Sequence, residues 1–551
     1  MNKKTVIITN ARRWLSIKMI KRYLAEGYQV IAIDESNEAT DEFIYFNESA
    51  VEPEKKISKI SWTDLKNEGV ICFQGQLTDE LFASRLINYL TNNNISVNTL
   101  VMYPSIFQEK DVADLTQNDI DAFYSELIAG PVGFLKQILP LLRQSKGNVE
   151  LISSALAINP EPVAPLYSIL EAALVMLVKC LTITEKNVRF NSVLVGPAFT
   201  ETLLSVYDEQ ELLNEYIKYI PANKLVLLDD IVEQTLCHTK CVSCYGSLAT
   251  VDGGESHANV YSYIPSLMNK TQTINEVHVN NEKKAVLVTG GSSGIGLVTA
   301  KKFLAEGWQV YVLDINECPL PDVTSLIADV RNISEIENAF KAIPKLDVLV
   351  NCAGIYRLGF LAKGNKADFR ENITEDTYDS VNEITLNDLK NIFKVNVFGY
   401  LLVIKYALSL LKASQGNIVL VSSGLGDKPE PTSILYCMTK AAINSMVRCL
   451  ADSSSLIDAR IKINGVLPGP VDTPLLINAF GSKDNAQAYY DYYNPMGIIV
   501  NPEEVAESIY FYSVLSSATG TLANIDGGEG ISTGHKKLSS NNLVKDDTLI
   551  K

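Results

Sequence analysis

Tyr436 and Lys440 stand four residues apart in "SSGLGDKPEPTSILYCMTK", a spacing that puts both on one face of a helix. A free phenol titrates near pH ~10, too high for a general base at neutrality. An ammonium beside it favours the phenolate and draws that value toward the working range. Ser423 closes the apolar run "NIVLVSS" just upstream and can hydrogen-bond a carbonyl or alkoxide oxygen. Alone, a tyrosine and a lysine at this spacing describe an ordinary helix face. A serine at the end of the preceding strand makes them a proton-transfer set.

A second constellation is "TGGSSGIG", Thr289 to Gly296, at the turn after "AVLV". Gly290 permits a tight turn, Gly294 lets the backbone approach a pyrophosphate, and Gly296 allows close helix–strand packing. The helix that follows offers its first N–H groups to phosphate. Asp314 ends the next strand, "QVYVLD". A carboxylate there accepts a hydrogen bond from a ribose 2′-hydroxyl and repels a 2′-phosphate, so NAD is favoured over NADP. The plainer role for Asp314 is to cap a turn.

The elements that must hold these residues occur twice. Residues 5–34, "TVIITNARRWLSIKMIKRYLAEGYQVIAID", run in register with 285–314, "AVLVTGGSSGIGLVTAKKFLAEGWQVYVLD". Three more pairs follow in order: "SKGNVELISS" with "SQGNIVLVSS", "FNSVLVGPAFTE" with "INGVLPGPVDTP", and "YGSLATVDGGES" with "TGTLANIDGGEG". The chain is one domain written twice. Short apolar runs alternate with helical stretches in each copy, which predicts two tandem Rossmann-like, doubly wound parallel sheets with ligand crevices at the strands' carboxyl ends. Residues 1–256 form the first domain, 257–283 a polar linker, 284–530 the second domain and 531–551 a polar tail.

Composition excludes several classes. A net charge of −16 without a basic run argues against nucleic acid or an anionic membrane surface as partner. The apolar start of "MNKKTVIIT" is short and is itself the first strand. No stretch approaches a membrane span, since "AALVMLV" stops at Lys179. Nine scattered cysteines suggest free thiols and a cytoplasmic protein. Cys237, His238, Cys241 and Cys244 in "CHTKCVSC" have spacings that zinc ligands use. The aligned "FYSVLSSA" has no ligands, and cysteines at helical spacing serve as small buried hydrophobes, so no metal is expected.

The second half resembles the short-chain dehydrogenase/reductase family over nearly its whole length. The matching motifs are Thr289 to Gly296, "NCAG" at Asn351 to Gly354, Asn396 in "KVNVFG", Ser423, Tyr436, Lys440 and "PGPVDTP" at Pro468 to Pro474. The resemblance implies a tetrad: Tyr436 exchanges the proton, Ser423 positions the reacting oxygen, Lys440 binds the nicotinamide ribose, and Asn396 holds a water. It implies cofactor contacts from Gly290, Ser292, Ser293, Gly294, Ile295, Gly296, Asp329, Val330, Asn351, Ala353, Gly354, Pro468, Gly469, Val471 and Thr473. Asp329 matches the adenine-contacting position and Thr473 the one that bonds the carboxamide. The implied activity is NAD-dependent hydride transfer between a small secondary alcohol and a ketone. Epimerisation through transient oxidation, or a non-catalytic NAD-binding scaffold, are the rival readings. The stretch between "NCAG" and Asn396, including "LAKGNKADFRENITEDTYDS", is longer than the family pattern and reads as a lid or an interface arm. Tyr489, Tyr490, Tyr492 and Tyr493 line a substrate pocket or form an interfacial cluster.

The first half loses these groups selectively. Asn10, Trp14 and Ser16 replace Gly290, Gly294 and Gly296, "VMYPS" replaces "NCAG", Leu127 replaces Asn396 and Glu171 replaces Lys440, while Ser154 and Tyr167 remain. A tryptophan fills the pyrophosphate's space, and a carboxylate beside Tyr167 raises the phenol's pKa. Arg12 and Arg13 read as solvated surface residues. The helix "YSILEAALVMLVKCLTIT" keeps a wide apolar face, so the halves are expected to pair as an internal pseudo-dimer, with a further homodimer possible.

Overall fold

The computed structural model describes residues 3–35, 42–46, 57–206, 210–218, 220–257, 283–370, 373–493 and 496–529. Residues 258–282 of the linker and the whole tail lie outside them.

In the first half the strands are β1 (Thr5–Ile8), β2 (Gln29–Asp34), β3 (Glu42–Phe46), β4 (Ile57–Ser61), β5 (Ile71–Gln74), β6 (Val97–Met102), β7 (Asn148–Ser154), β8 (Arg189–Val195) and β9 (Leu248–Val251). Seven of them form a parallel sheet of order β5-β2-β1-β6-β7-β8-β9; β3 and β4 pair separately and antiparallel. The second half supplies β10 (Ala285–Thr289), β11 (Gln309–Asp314), β12 (Thr324–Ile327), β13 (Val348–Asn351), β14 (Asn417–Val421), β15 (Lys462–Pro468) and β16 (Leu522–Ile525). These repeat the order as β12-β11-β10-β13-β14-β15-β16, all parallel. The expected pair of Rossmann-like sheets is present. Central strands such as "AVLVT" are buried throughout, because helices cover both faces of a parallel sheet. In the second sheet, Ala300 and Phe303 from one helix and Val505 and Ile509 from another pack on Val288, Val310 and Val350. The chain departs from β10 toward β11 on one side and meets β13 on the other. That reversal opens a crevice above the strand ends.

Two findings depart from the sequence reading. The compact units are not continuous in sequence. The first comprises Met1–Lys110, Leu115–Asn280 and Gly359–Leu386; the second comprises Asp111–Asp114, Asn281–Leu358 and Asn387–Lys551. The long stretch of the second half therefore folds with the first unit. Secondly, among the described residues two helices are long and apolar enough to cross a membrane, Pro165–Thr184 and Leu386–Ser414, contrary to the expectation that no stretch comes near that length. Lys179 does not end the first of them, since the helix runs through both Glu171 and Lys179 and keeps a mean hydropathy of 1.9. Its most apolar stretch is 78% buried inside the protein, as for a core helix.

Candidate active site

Three glycines shape the turn after β10, each for a separate steric reason. Gly290 has φ +66°, and a Cβ there would lie 2.7 Å from the Ala353 Cα. A Cβ on Gly296 would lie 2.2 Å from the Gly290 carbonyl oxygen. At Gly294, with φ +51°, the nearest atoms to a Cβ belong to Thr473, at 3.6 and 3.7 Å, so this is the open point of the cradle. Ser293 precedes the helix Gly294–Ala305 without a side-chain cap. Thr289 Oγ1 accepts the N–H groups of Cys352 (3.1 Å) and Ala353 (3.2 Å), which ties the "NCAG" loop to the turn.

Asp314 performs the turn-capping role directly. Its Oδ2 accepts the Ser292 N–H at 3.1 Å and its Oδ1 the Asn316 N–H at 2.9 Å. A carboxylate has about four acceptor sites, so both oxygens retain capacity toward the cavity they line. At the same end Arg331 grips Asp329, with Nη2 to Oδ2 at 2.6 Å, and holds that carboxyl below its usual range.

The proton-transfer residues converge at the other end. Ser423 Oγ donates to the Pro468 carbonyl at 3.4 Å and accepts the Leu425 N–H at 3.2 Å; burial pushes the Tyr436 phenol upward, and the nearby Ser423 hydroxyl opposes it. Lys440 Nζ donates to the Val421 carbonyl at 3.0 Å and lies 5.2 Å from the centre of the Tyr436 ring. It approaches the ring face, so the expected lowering of the phenol by the ammonium is not what dominates here; burial is. The same burial lowers Lys440 to about 8. Asn396 is fully buried in a π-helical turn, Lys394–Phe398. Its amide exchanges two 2.9 Å bonds with the backbone of Ile355 and donates to Thr439 Oγ1 at 3.1 Å. Both of its N–H groups are thus engaged by protein.

One cavity of about 440 Å³ joins these ends. Gly290, Ser293, Gly294, Ile295, Gly296, Asp314, Asp329, Val330, Ala353, Gly354, Ser423, Tyr436, Lys440, Pro468, Gly469, Val471 and Thr473 all line it. Ser292, Asn351 and Asn396 do not line it: the half-exposed Ser292 donates to the Asn316 carbonyl at 2.8 Å, and the buried Asn351 donates to the Tyr400 carbonyl at 3.3 Å. Tyr356 also lines the cavity and went unread in the sequence: its ring centre is 4.9 Å from that of Tyr436, and its hydroxyl meets Ser433 Oγ at 2.5 Å. No spacing rule marks it, because the contact is made by folding a loop back. Tyr490 lines the cavity with Phe480, their ring centres 5.6 Å apart, whereas the side chains of Tyr489, Tyr492 and Tyr493 lie outside the described residues.

A family profile described as short chain dehydrogenase matches residues 284–483. One described as enoyl-(acyl carrier protein) reductase matches 35–256. The glucose and ribitol dehydrogenase homolog of Oryza sativa subsp. japonica is 30% identical over 259 residues, covering 44% of this chain and 85% of that protein. Dehydrogenase/reductase SDR family member 6 of Xenopus laevis is 31% identical over 258 residues, covering 44% and 96%. The cis-2,3-dihydrobiphenyl-2,3-diol dehydrogenase of Paraburkholderia xenovorans (strain LB400) is 28% identical over 284 residues, covering 48% and 96%. The chain belongs to the short-chain dehydrogenase/reductase family.

Both halves have the short-chain dehydrogenase sheet, but the match to the first half begins only at residue 35, after its altered turn. There Asn10 takes the left-handed φ of 48° and donates to the Tyr103 carbonyl and Glu126, each at 2.8 Å. Trp14 stacks on Phe199, and its backbone N–H donates to Glu201 Oε1 at 3.1 Å. An internal carboxylate thus sits on the helix N-terminus where short-chain dehydrogenases bind phosphate. Arg13 lies 4.0 Å from Glu201 and donates to the Ser105 carbonyl, so it is an internal partner as well as a surface residue. Asp34 accepts the Arg12 N–H at 2.9 Å, the bond Asp314 makes to Ser292. Burial first and Glu171 second push the Tyr167 phenol well up. Glu171 itself is raised to about 7 by burial, and among the described residues its Oε1 has no partner.

The "CHTKCVSC" stretch ends the helix Leu228–Lys240. His238 Nδ1 faces Glu150 and its Nε2 faces Ser247, each at 3.0 Å, while Arg189 caps the helix through the carbonyls of His238 and Cys241. Among the described residues no group of three or more His, Cys, Asp or Glu is arranged to hold a metal.

Proposed function

We propose that the second unit is a nicotinamide-dependent oxidoreductase that interconverts a small secondary alcohol and a ketone. The observation carrying this reading is that the glycine cradle and the Ser423–Tyr436–Lys440 set open into one cavity. The cradle suits a dinucleotide, since Gly294 leaves room for phosphate and the following helix has no side-chain cap. Gly290 to Gly296 would hold the pyrophosphate, Asp314 the adenosine ribose, Asp329 and Val330 the adenine, and Lys440 and Thr473 the nicotinamide end. When bound, the nicotinamide supplies the acceptor or donor of hydride. Tyr436 takes the hydroxyl proton of the alcohol or returns it to the ketone oxygen, and Ser423 shares that oxygen through a second hydrogen bond. Lys440, held by the Val421 carbonyl, keeps a positive charge near the phenol and favours the phenolate as the proton is taken. Asp314 favours NAD over NADP.

The first unit serves as a structural partner, paired with the second inside one chain. Supporting this are the retained sheet, the retained apolar helix Pro165–Thr184 and the capped turn. The test is absorbance at the nicotinamide band with a panel of alcohols and ketones, together with calorimetric stoichiometry. Turnover with one NAD site per chain is expected. Tight binding without turnover, or product formation without net cofactor change, would refute the dehydrogenase reading; two sites per chain would refute the partner role.

A further inference from the structure

Residues 359–386 leave the second half between "NCAG" and Asn396, yet fold with the first unit. Arg143 grips them. Its Nε and Nη2 bond the two oxygens of Glu185 at 2.9 and 2.8 Å, and both side chains are almost wholly buried. Nη2 also donates to the Ala362 carbonyl at 2.6 Å, and the guanidinium lies 5.0 Å from the centre of the Phe369 ring. Arg370 reciprocates, its Nε donating to the carbonyls of Thr182 (2.8 Å) and Glu185 (3.1 Å). Lys136 donates to the Ile384 carbonyl at 2.6 Å and pairs with Glu383 at 2.8 Å. A buried ion pair carries a desolvation cost that such extra bonds must offset. Two residues before the shared serine of "SQGN", the second half has Lys412 instead, and it is exposed. The buried guanidinium belongs only to the half that lost its chemistry.

The neck of this insert is closed by the Phe360 N–H to the Asn382 carbonyl (3.0 Å) and the Ile384 N–H to the Phe360 carbonyl (2.9 Å). Just outside it Arg357 and Asp388 pair at 3.1 Å. The chain entering the neck is Ile355–Tyr356, which clasps the Asn396 amide and covers the Tyr436 ring. We propose that Arg143 is a positioning residue for the second unit: by fixing the insert it holds Tyr356 against Tyr436 and Ile355 against Asn396. Only the kinetic part of this inference rests on the oxidoreductase reading.

Two full-length variants test it. Arg143→Lys keeps a cation beside Glu185 but loses the fork that also reaches Ala362. A second variant replaces residues 361–381 by a short Gly-Ser link and keeps the paired neck of Phe360, Asn382 and Ile384. Hydrogen exchange at the amides of 355–358 should accelerate about tenfold in both. NAD affinity should stay within about twofold and kcat fall about tenfold, as expected for a misplaced catalytic group. The pH–rate limb governed by Tyr436 should move to lower pH, because water reaching the phenol relieves the burial that raises it. Unchanged exchange in folded protein overturns the proposal, as does faster exchange with unchanged kcat and pH limb. If Arg143→Lys does not fold, the linker variant decides. If the unaltered protein turns over nothing, the dehydrogenase reading fails while the exchange measurement still decides the clamp.

Discussion

The turns after β1 and β10 share a left-handed first residue, Asn10 and Gly290, and have opposite uses. Gly294 leaves the helix start open, whereas Trp14 closes it and Glu201 caps the N–H that the closure would strand. Positions 199 and 201 align with Asp472 and Pro474 of the second half. The two loops of the first half therefore fit one another, one supplying the indole and the other its stacking ring and its carboxylate. A turn without the open glycine cradle need not leave a hole: the dipole that would attract phosphate is satisfied from within. The aspartate at the end of the second strand survives in both halves because it also holds the turn's backbone, as the Arg12 and Ser292 N–H bonds show.

The largest test of this asymmetry is the pair of tyrosines. Tyr436→Phe should lower kcat by roughly 10²- to 10⁴-fold with NAD affinity nearly unchanged, whereas Tyr167→Phe should leave rates within about threefold. Equal losses in steady-state assays would break the comparison. Next is the turn: Gly294→Trp should weaken NAD binding by about a hundredfold or more in calorimetry, since it puts the indole where phosphate must approach. Trp14→Gly alone should create no second site, because Glu201 still holds the helix start. Appearance of a second site in that single variant would show that the indole, and not the carboxylate, is the barrier.

A smaller effect is expected at Asp314. Asp314→Ala should weaken both dinucleotides, as two backbone bonds that hold the turn are lost, but shift the NAD to NADP affinity ratio by about tenfold toward NADP. A ratio that does not move reduces Asp314 to the turn cap alone. The smallest effect concerns stability of the first unit. Glu171 titrates near 7 when folded against 4.5 in the open chain, so the folded state binds more protons between those values. Its favourable contribution is complete below pH 4.5 and is lost as pH rises through 7. Glu161, also raised to about 7, acts in the same direction. Glu171→Gln should therefore flatten the decline of thermal stability between pH 5 and 8 by a few degrees. A slope identical to that of the unaltered protein would show that Glu171 titrates normally.

What could be read from sequence follows from how local each signal is. The sheets were legible because the central strands carry short apolar runs such as "TVII", "AVLVT" and "NIVLV", and because the repeat presents the same series twice. The glycines were legible because "TGGSSGIG" is compact in sequence, although only Gly296 is imposed within its own turn, and Gly290 by the Ala353 backbone of a distant loop. Tyr356 was not, since it reaches Tyr436 across eighty residues of chain. The insert's allegiance was hidden for the same reason: Arg143 and Glu185 look like ordinary helix-end charges until both are seen buried against its backbone. Among the described residues the pair β3–β4 has no counterpart in the second half, so the repeat could not announce it.

Glu201 is a ligand that never leaves. Tethered to the same fold as the N–H it caps, its carboxylate competes with any free dinucleotide at an effective concentration of order millimolar or higher. Restoring a glycine at position 14 would only enlarge the seat of an occupant already in place, and removing Glu201 alone would leave the indole in the way. Neither change gives selection anything to act upon by itself. Under the partner-domain reading, opening this turn to a cofactor therefore requires two loops to change at once.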